Sequence, residues 1–230
     1  MRRRRGRVWL RTALSVVVAL GMAAAVGWFI WLPRYRPALH SRERYGIDVS
    51  EHQGTVDWAR VARDHITFAY IKATEGQDFT DRRFAANWAG AREARLDHGA
   101  YHFFTLCSPG GAQARHFLDA LGTAPSTLAP AVDLELKGNC RARPNSATVH
   151  EQLNAFLSAV EDASGRQVVL YVGDDFDSRY HIRRNYGRPL WQRRLLRRPS
   201  DDWTIWQVHG RADVAGIHGP VDLDIARSRP

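Results

Sequence analysis

The spacing of hydrophobic and polar positions changes rhythm along this chain. Residues 12–32, TALSVVVALGMAAAVGWFIWL, carry no charged side chain. At 1.5 Å per residue these 21 residues make a helix of about 32 Å, enough to cross a hydrocarbon layer of roughly 30 Å. From Tyr45 onward short stretches of period two alternate with longer stretches of helical period. YGIDVS reads as a strand and VDWARVARDH as a helix. FAYIKAT is followed by RRFAANWAGAREARL, GAYHFFT by GAQARHFLDALG, and LAPAVDLEL by SATVHEQLNAFLSAVEDASG, with Ser146 the expected N-cap. Strand–helix units in succession predict parallel strands. QVVLYV, RPLWQ, WTIWQV and VDLDIA then read as strands with little helix between them.

Eight strands in this order predict an α/β fold: a modified (β/α) TIM-like barrel whose helices are reduced in the second half, preceded by one N-terminal transmembrane helix. A doubly wound sheet is the competing architecture. It would place a glycine-rich nucleotide loop after its first strand, and no G-x-G-x-x-G follows GIDVS.

One strand breaks the apolar pattern. In LAPAVDLELKGNC, Val132, Leu134 and Leu136 share one face, which leaves Asp133 and Glu135 together on the other. Two acids aimed at one place repel each other and resist burial, so the chain holds them there against a physical cost. In a barrel of this kind the chemistry sits where strands end at the C-terminal face. Asp48 in GIDVS and Asp222 with Asp224 in VDLD are also expected at that face, because the first and last strands of a closed barrel are neighbours. Close carboxylates sharing a proton suit glycosidic cleavage, which needs one protonated acid and one negative partner. Glu135 is the expected acid, and Asp133 with Asp48 the negative partner. Lys72 and Glu75 read equally well as a structural ion pair or as groove residues. His102 reads as a packed, hydrogen-bonded residue, and GDDFD as a solvated loop.

Charge separates the ends of the chain. The 230 residues carry a formal net charge of +9. Residues 1–44 hold ten Arg and one Glu, while the remainder holds 23 basic and 23 acidic residues. The globular part therefore has no electrostatic reason to bind nucleic acid, and no nucleic-acid partner is expected. Arg2, Arg3, Arg4, Arg5, Arg7 and Arg11 before the apolar run predict a cytoplasmic N-terminus, with Trp28 and Trp31 at the far interface. The expected organisation is a basic cytoplasmic segment 1–11, a membrane anchor 12–32, a linker 33–44 and a catalytic domain 45–230 outside the cytoplasm. Cleavage after the small residues Ala23 to Ala25 is the alternative, and would secrete the domain. An exported location permits the two cysteines, Cys107 and Cys140, to pair, each following a predicted strand; two separate thiols are the other reading. H-E-x-x-H, zinc-spaced Cys/His clusters and G-x-S-x-G are all absent, so no metal, cofactor or acyl-transfer site is expected.

The ordered segments GIDVS, AYIKATEG, FAANWAGAREARLDHGAYHFF, QARHFL, PAVDLEL, VVLYV, PLW, WTIWQV and VAGIHGPVDLD resemble glycoside hydrolase family 25, the N-acetylmuramidase or lysozyme family. The resemblance implies a modified barrel acting on peptidoglycan glycan strands. It puts Asp48, Asp133 and Glu135 at catalytic positions, Asp222 facing the same cleft, and Tyr101 and Tyr171 along the sugar groove. It also implies a Cys107–Cys140 disulfide, matching a subset in which Cys follows YHFF and GNC follows the D-x-E strand. The implied mechanism runs through the substrate's own acetamido group or through water activated by a carboxylate, and D-x-E suits the first. Trp191 is followed here by QRRLLRRPSDD where the family commonly has a small residue and an aromatic. His52 stands where many members have Trp, and WQVHG lacks the usual Tyr after Gln207. A chitinase-type hydrolase and a peptidoglycan-binding protein without turnover are the alternative readings. The sequence carries no signal for oligomeric state.

Overall fold

The computed structural model describes residues 2–123 and 125–227, without the side chains of residues 2–8, 10 and 11. The Arg side chains on which the expected membrane orientation rests therefore lie outside the described residues. Helix α1 (Arg2–Val26) continues through a π-helical turn, Gly27–Trp31, and a 3-10 turn, Leu32–Arg34. Thr12–Arg34 is long and apolar enough to cross a membrane, and none of its apolar window is buried against the protein.

Residues after this rod are strapped to the globular part. Pro33 O accepts Asp213 N–H at 2.8 Å, Tyr35 O lies 3.0 Å from His209 Nε2, and the Tyr45 hydroxyl donates to Pro37 O at 2.5 Å. Arg36 pairs with Asp64 at 2.7 Å, and Arg198 pairs with Glu43 at 2.5 Å. The Arg211 guanidinium sits 5.0 Å from the Trp28 ring and 5.8 Å from that of Phe29, a cation–π grip at the end of the apolar helix.

Strand β1 (Arg44–Val49) leads through a 3-10 turn, Glu51–Gln53, into α2 (Trp58–Arg63). Strand β2 (Ile66–Glu75) carries a short antiparallel partner, β3 (Phe79–Thr80), before α3 (Phe84–Glu93). Then follow β4 (Asp97–Phe103), α4 (Gly110–Leu121), β5 (Ala131–Leu134), α5 (Ser146–Ser164), β6 (Val169–Val172), α6 (Asp174–Tyr180), α7 (Ile182–Asn185), β7 (Leu190–Arg193), β8 (Ile205–Ala212) and β9 (Val221–Ala226). The sheet order is β1-β9-β8-β7-β6-β5-β4-β2-β3, and parallel pairing of β1 with β2 closes eight of these strands into a barrel. β9 runs antiparallel to both β8 and β1, since a tight connection brings the chain straight back from β8 without a crossover helix.

Each predicted strand is present, and period-two alternation sorts its side chains into two layers. Ile47, Val49, Val132, Leu134 and Leu223 face outward into the core beneath the helices, while Phe68, Tyr70, Ala131, Trp191 and Ile205 fill the barrel. Gly46 makes room for this filling, because a Cβ there would lie 2.2 Å from the Phe68 ring. His102 is fully buried in the outer layer, bonded to Thr74 Oγ1 at 2.7 Å and Gln113 Oε1 at 3.0 Å and stacked on Phe156. Burial pulls its pKa down to about 3, so it is a neutral packing residue.

Two local readings change. The cap of α5 is Asn145, whose side chain accepts Thr148 N–H at 2.9 Å, with Ser146 already helical. GDDFD opens helix α6 instead of forming a loop, since Asp174, Asp175 and Asp177 fall in its first turn where the helix dipole favours acids. Trp206 is core, 1% exposed, with its indole N–H donated to Arg194 O at 2.7 Å.

Candidate active site

The C-terminal ends of the parallel strands surround a cavity of about 500 Å³. Seven of the eight barrel strands place a side chain on its wall: Asp48 from β1, Tyr101 from β4, Asp133 from β5, Tyr171 from β6, Arg193 from β7, Gln207 from β8 and Asp222 from β9. Glu135 lies one residue past the end of β5 and still points to the cavity that Asp133 faces. Asp48, Asp133, Glu135, Asp222, Tyr101 and Tyr171 thus meet at one site although they span most of the chain. Asp48 and Asp222 are register partners across the closing seam.

The floor is aromatic. Trp191 lies 5.0 Å from Tyr70 between ring centres, and meets Tyr171 edge-on at 5.4 Å and Tyr101 edge-on at 6.5 Å. Its indole N–H donates to Asp224 Oδ1 at 3.0 Å, and Asp224 has no exposed surface. Above it the Tyr171 hydroxyl donates to Gln207 Oε1 at 3.2 Å, and Gln207 Nε2 donates to Asp48 Oδ2 at 3.0 Å. The buried Asp224 lies near enough to Asp48 for each carboxyl to act electrostatically on the other, and its Oδ2 has no hydrogen-bond partner among the described residues. A hydrogen-bond chain from Tyr171 through Gln207 therefore orients the Asp48 carboxyl. Gly210 faces Asp222, where a Cβ would come within 2.7 Å of Asp222 Oδ1.

Burial dominates the electrostatics. It pushes Asp48, Asp133 and Asp224 well above the usual carboxylate range, reinforced by the charge of Asp222 at Asp48, of Glu135 at Asp133 and of Asp48 at Asp224. Asp222 is raised for the same first reason, against the pull of Arg193. Glu135 is raised by burial too, while the positive charge of Arg193 holds the shift back. The cluster can thus keep protons at pH values where an isolated carboxylate is ionised. Asp133 Oδ1 is buried and has no hydrogen-bond partner among the described residues, leaving an acceptor for a ligand N–H. Those residues contain no cluster of His, Cys, Asp and Glu suited to a metal ion.

Cys107 and Cys140 form a disulfide, Cα atoms 6.2 Å apart, joining the loop after β4 to the loop after β5. Asn139 reinforces the join: its Oδ1 accepts Leu106 N–H at 2.9 Å, and its Nδ2 donates to Phe104 O at 2.8 Å and to Glu135 O at 2.9 Å. The backbone carrying Glu135 is held beyond the last ladder position of its strand.

A protein-family model described as glycosyl hydrolases family 25 matches residues 47–217. This chain belongs to that family. Escherichia coli (strain K12) YegX is 35% identical over 195 residues, covering 79% of this chain and 68% of the relative. Lysozyme M1 of Streptomyces globisporus is 32% identical over 192 residues, covering 77% of this chain and 65% of the relative. A solved family 25 glycosyl hydrolase from Bacillus anthracis superposes with a TM-score of 0.76 at 30% identity, covering 84% of this chain and 93% of that one. The chain is therefore a glycoside hydrolase with the family 25 barrel.

Sequence reading of the family 25 motifs did not anticipate Gln207 as the group that orients Asp48, Trp191 as the floor, or the Asn139 brace. VDLD did mark Asp222 and Asp224 as a pair on one face, and that period-two signal was enough to suspect Asp224. Lys72 and Glu75 pair at 2.7 Å, with the ammonium 5.1 Å from the Phe103 ring centre, and neither side chain lines the cavity.

Proposed function

We propose that this chain is a peptidoglycan muramidase that hydrolyses the β-1,4 bond between N-acetylmuramic acid and N-acetylglucosamine. Supporting this reading are its family and relatives named as lysozymes, such as Lysozyme M1. Its chemistry rests on one observation: Glu135 and Asp133 face a sugar-sized cavity in which burial keeps carboxyl protons available. Glu135, at the more open end, is the general acid that gives its proton to the leaving glycosidic oxygen. Asp133 Oδ1, unpartnered, accepts the N–H of the substrate's acetamido group and turns its carbonyl oxygen toward the anomeric carbon. That oxygen bonds to the carbon as the glycosidic bond breaks, and water then opens the resulting ring with Glu135 now acting as base. Asp48 and Asp222 supply negative charge opposite the developing cation, and Tyr101 and Tyr171 pack against the sugar.

The apolar helix Thr12–Arg34 supports a membrane anchor, with the domain on the extracytoplasmic side. Incubation of the protein with purified peptidoglycan, followed by analysis of the new reducing ends, tests the activity. Muramic acid reducing ends are expected. New ends on chitin oligomers instead would replace the muramidase with a chitinase, and no new ends on either polymer would leave a binding protein.

A further inference from the structure

Beside the main cavity lies a second lobe of about 410 Å³. The two share Glu135, Lys137, Tyr171 and Arg193, so the lobe extends the same cleft on the side of the expected acid. Its outer walls carry cations. Lys137 stands on the loop after β5, exposed, and Arg193 stands at the end of β7, also exposed. Arg193 acts electrostatically on Glu135 and Asp222, yet neither Arg193 nor Lys137 forms an ion pair among the described residues, where Lys72, Arg183 and Arg194 each do.

One acid of the lobe is fully paired. Asp174 is gripped by Arg183 at 2.9 Å and by Arg194 at 2.9 Å. Asp175 Oδ1 accepts Phe176 N–H at 2.8 Å. With Asp174 paired and Glu135 holding its proton, the charges of Lys137 and Arg193 outnumber the one left on Asp175, which still acts on Glu135. Both walls are also rigid. The loop bearing Lys137 is closed by the Cys107–Cys140 disulfide and braced by Asn139. The segment after Arg193 is tied to β8 by Arg194 N–H on Gln207 O at 3.2 Å and Leu196 N–H on Val208 O at 3.0 Å. Two cations carried on restrained backbone beside the acid line the lobe together and form a site for an anion. Leu195, 61% exposed, adds an apolar edge to the lobe.

We infer that Lys137 and Arg193 read a carboxylate carried on the lactyl arm of the muramic acid unit, and so select charged muramyl glycan over uncharged N-acetylhexosamine polymers. The inference rests on the muramidase reading and sharpens it. The carboxylate has two sources of the same chemistry: the lactyl group itself on peptide-free strands, and the stem peptide on intact glycan.

The test compares KM for the full-length protein in detergent on three substrates: peptide-free strands, the same strands with carboxylates coupled to ethanolamine, and peptide-bearing strands. A KM about three- to tenfold lower for charged than for neutralised strands is expected, the range of partly exposed charge contacts, and the gap should shrink with added salt. Lower KM on peptide-free than on peptide-bearing strands assigns the lactyl carboxylate; the reverse assigns the stem peptide. Lys137→Gln with Arg193→Gln is expected to bring the ratio to about one, and Arg193→Lys to keep most of it. A cation that serves only as a counterion to Glu135 would shift the pH profile equally on every substrate and leave the ratio unchanged, which overturns the inference. Equal KM values in the unaltered protein overturn it as well while leaving the muramidase intact. Absence of cleavage on every strand removes both.

Discussion

At the scale of single residues, the site is a set of carboxyl groups whose shared environment matters more than their number. Glu135 must be protonated to act, so activity should fall as pH rises through its raised pKa. Glu135→Gln is expected to lower kcat by about a hundredfold or more, the usual worth of a general acid, with an unchanged circular dichroism spectrum; near-normal turnover would take the acid role from it. Arg193→Gln removes the cation that holds the Glu135 pKa down, so the alkaline limb of the rate profile should move to higher pH. Stability responds to pH in the same direction. Asp224 has a folded pKa well above its unfolded one, so the folded state binds the extra proton between the two values. Its contribution is whole below the unfolded pKa and is lost as pH rises through the folded one. Asp224→Asn keeps an acceptor for Trp191 and ends that loss. A Tm higher by about 2 °C or more at pH 7 is expected, a shift worth roughly 1 kcal/mol in a chain of this length, with no gain at pH 3. The acids themselves were legible in the sequence because D-x-E and D-x-D put both members on one strand face. Their raised pKa values were not, since burial is a property of the closed barrel.

At the scale of elements, the connections after β4 and β5 decide where Glu135 stands. β5 ends at Leu134, so no ladder hydrogen bond fixes the next residue's direction. The Asn139 side chain and the Cys107–Cys140 bridge supply that restraint from outside the sheet. The bridge closes a sequence separation of 33 residues. Replacing both cysteines by Ser should lower the unfolding free energy by about 3–4 kcal/mol, on the chain-entropy estimate for such a loop. Urea titration with and without reductant measures it. Helices were legible from period and caps, apart from α6, whose acidic first turn resembles a polar loop until the helix dipole is considered. The pinning of α4 against the sheet through Gln113 and His102 was less visible, because a buried polar pair shows no periodicity.

For the whole molecule, the excess positive charge belongs to the N-terminal segment while the barrel is neutral, and the two are joined by a strap with little slack. Tyr35 and Arg36 are tied to His209 and Asp64, and Arg211 reaches back to Trp28 and Phe29. Gly210, next to Arg211, lines the cavity. A full-length chain reconstituted into vesicles is expected to stay with the bilayer through alkaline carbonate washing; recovery in the supernatant would mean a cleaved or peripheral segment. The strap was read from sequence only as a linker over residues 33–44. Its partners reach as far as Asp213, 180 residues after Pro33, beyond the reach of local pattern.

The sequence by itself determined the eight strands and their order, the side of each strand that faces inward, the length of the apolar helix and the chemistry of the acids. Those follow from periodicity and composition, which act between neighbours in the chain. Tertiary structure alone decided that β9 returns antiparallel to seal the barrel against β1, that Gln207 orients Asp48 beside the buried Asp224, and that Lys137 and Arg193 flank one lobe. Closure brings side chains from distant segments within hydrogen-bond reach and strips water from the carboxyl groups. Only then can their protonation differ from that of ordinary acids.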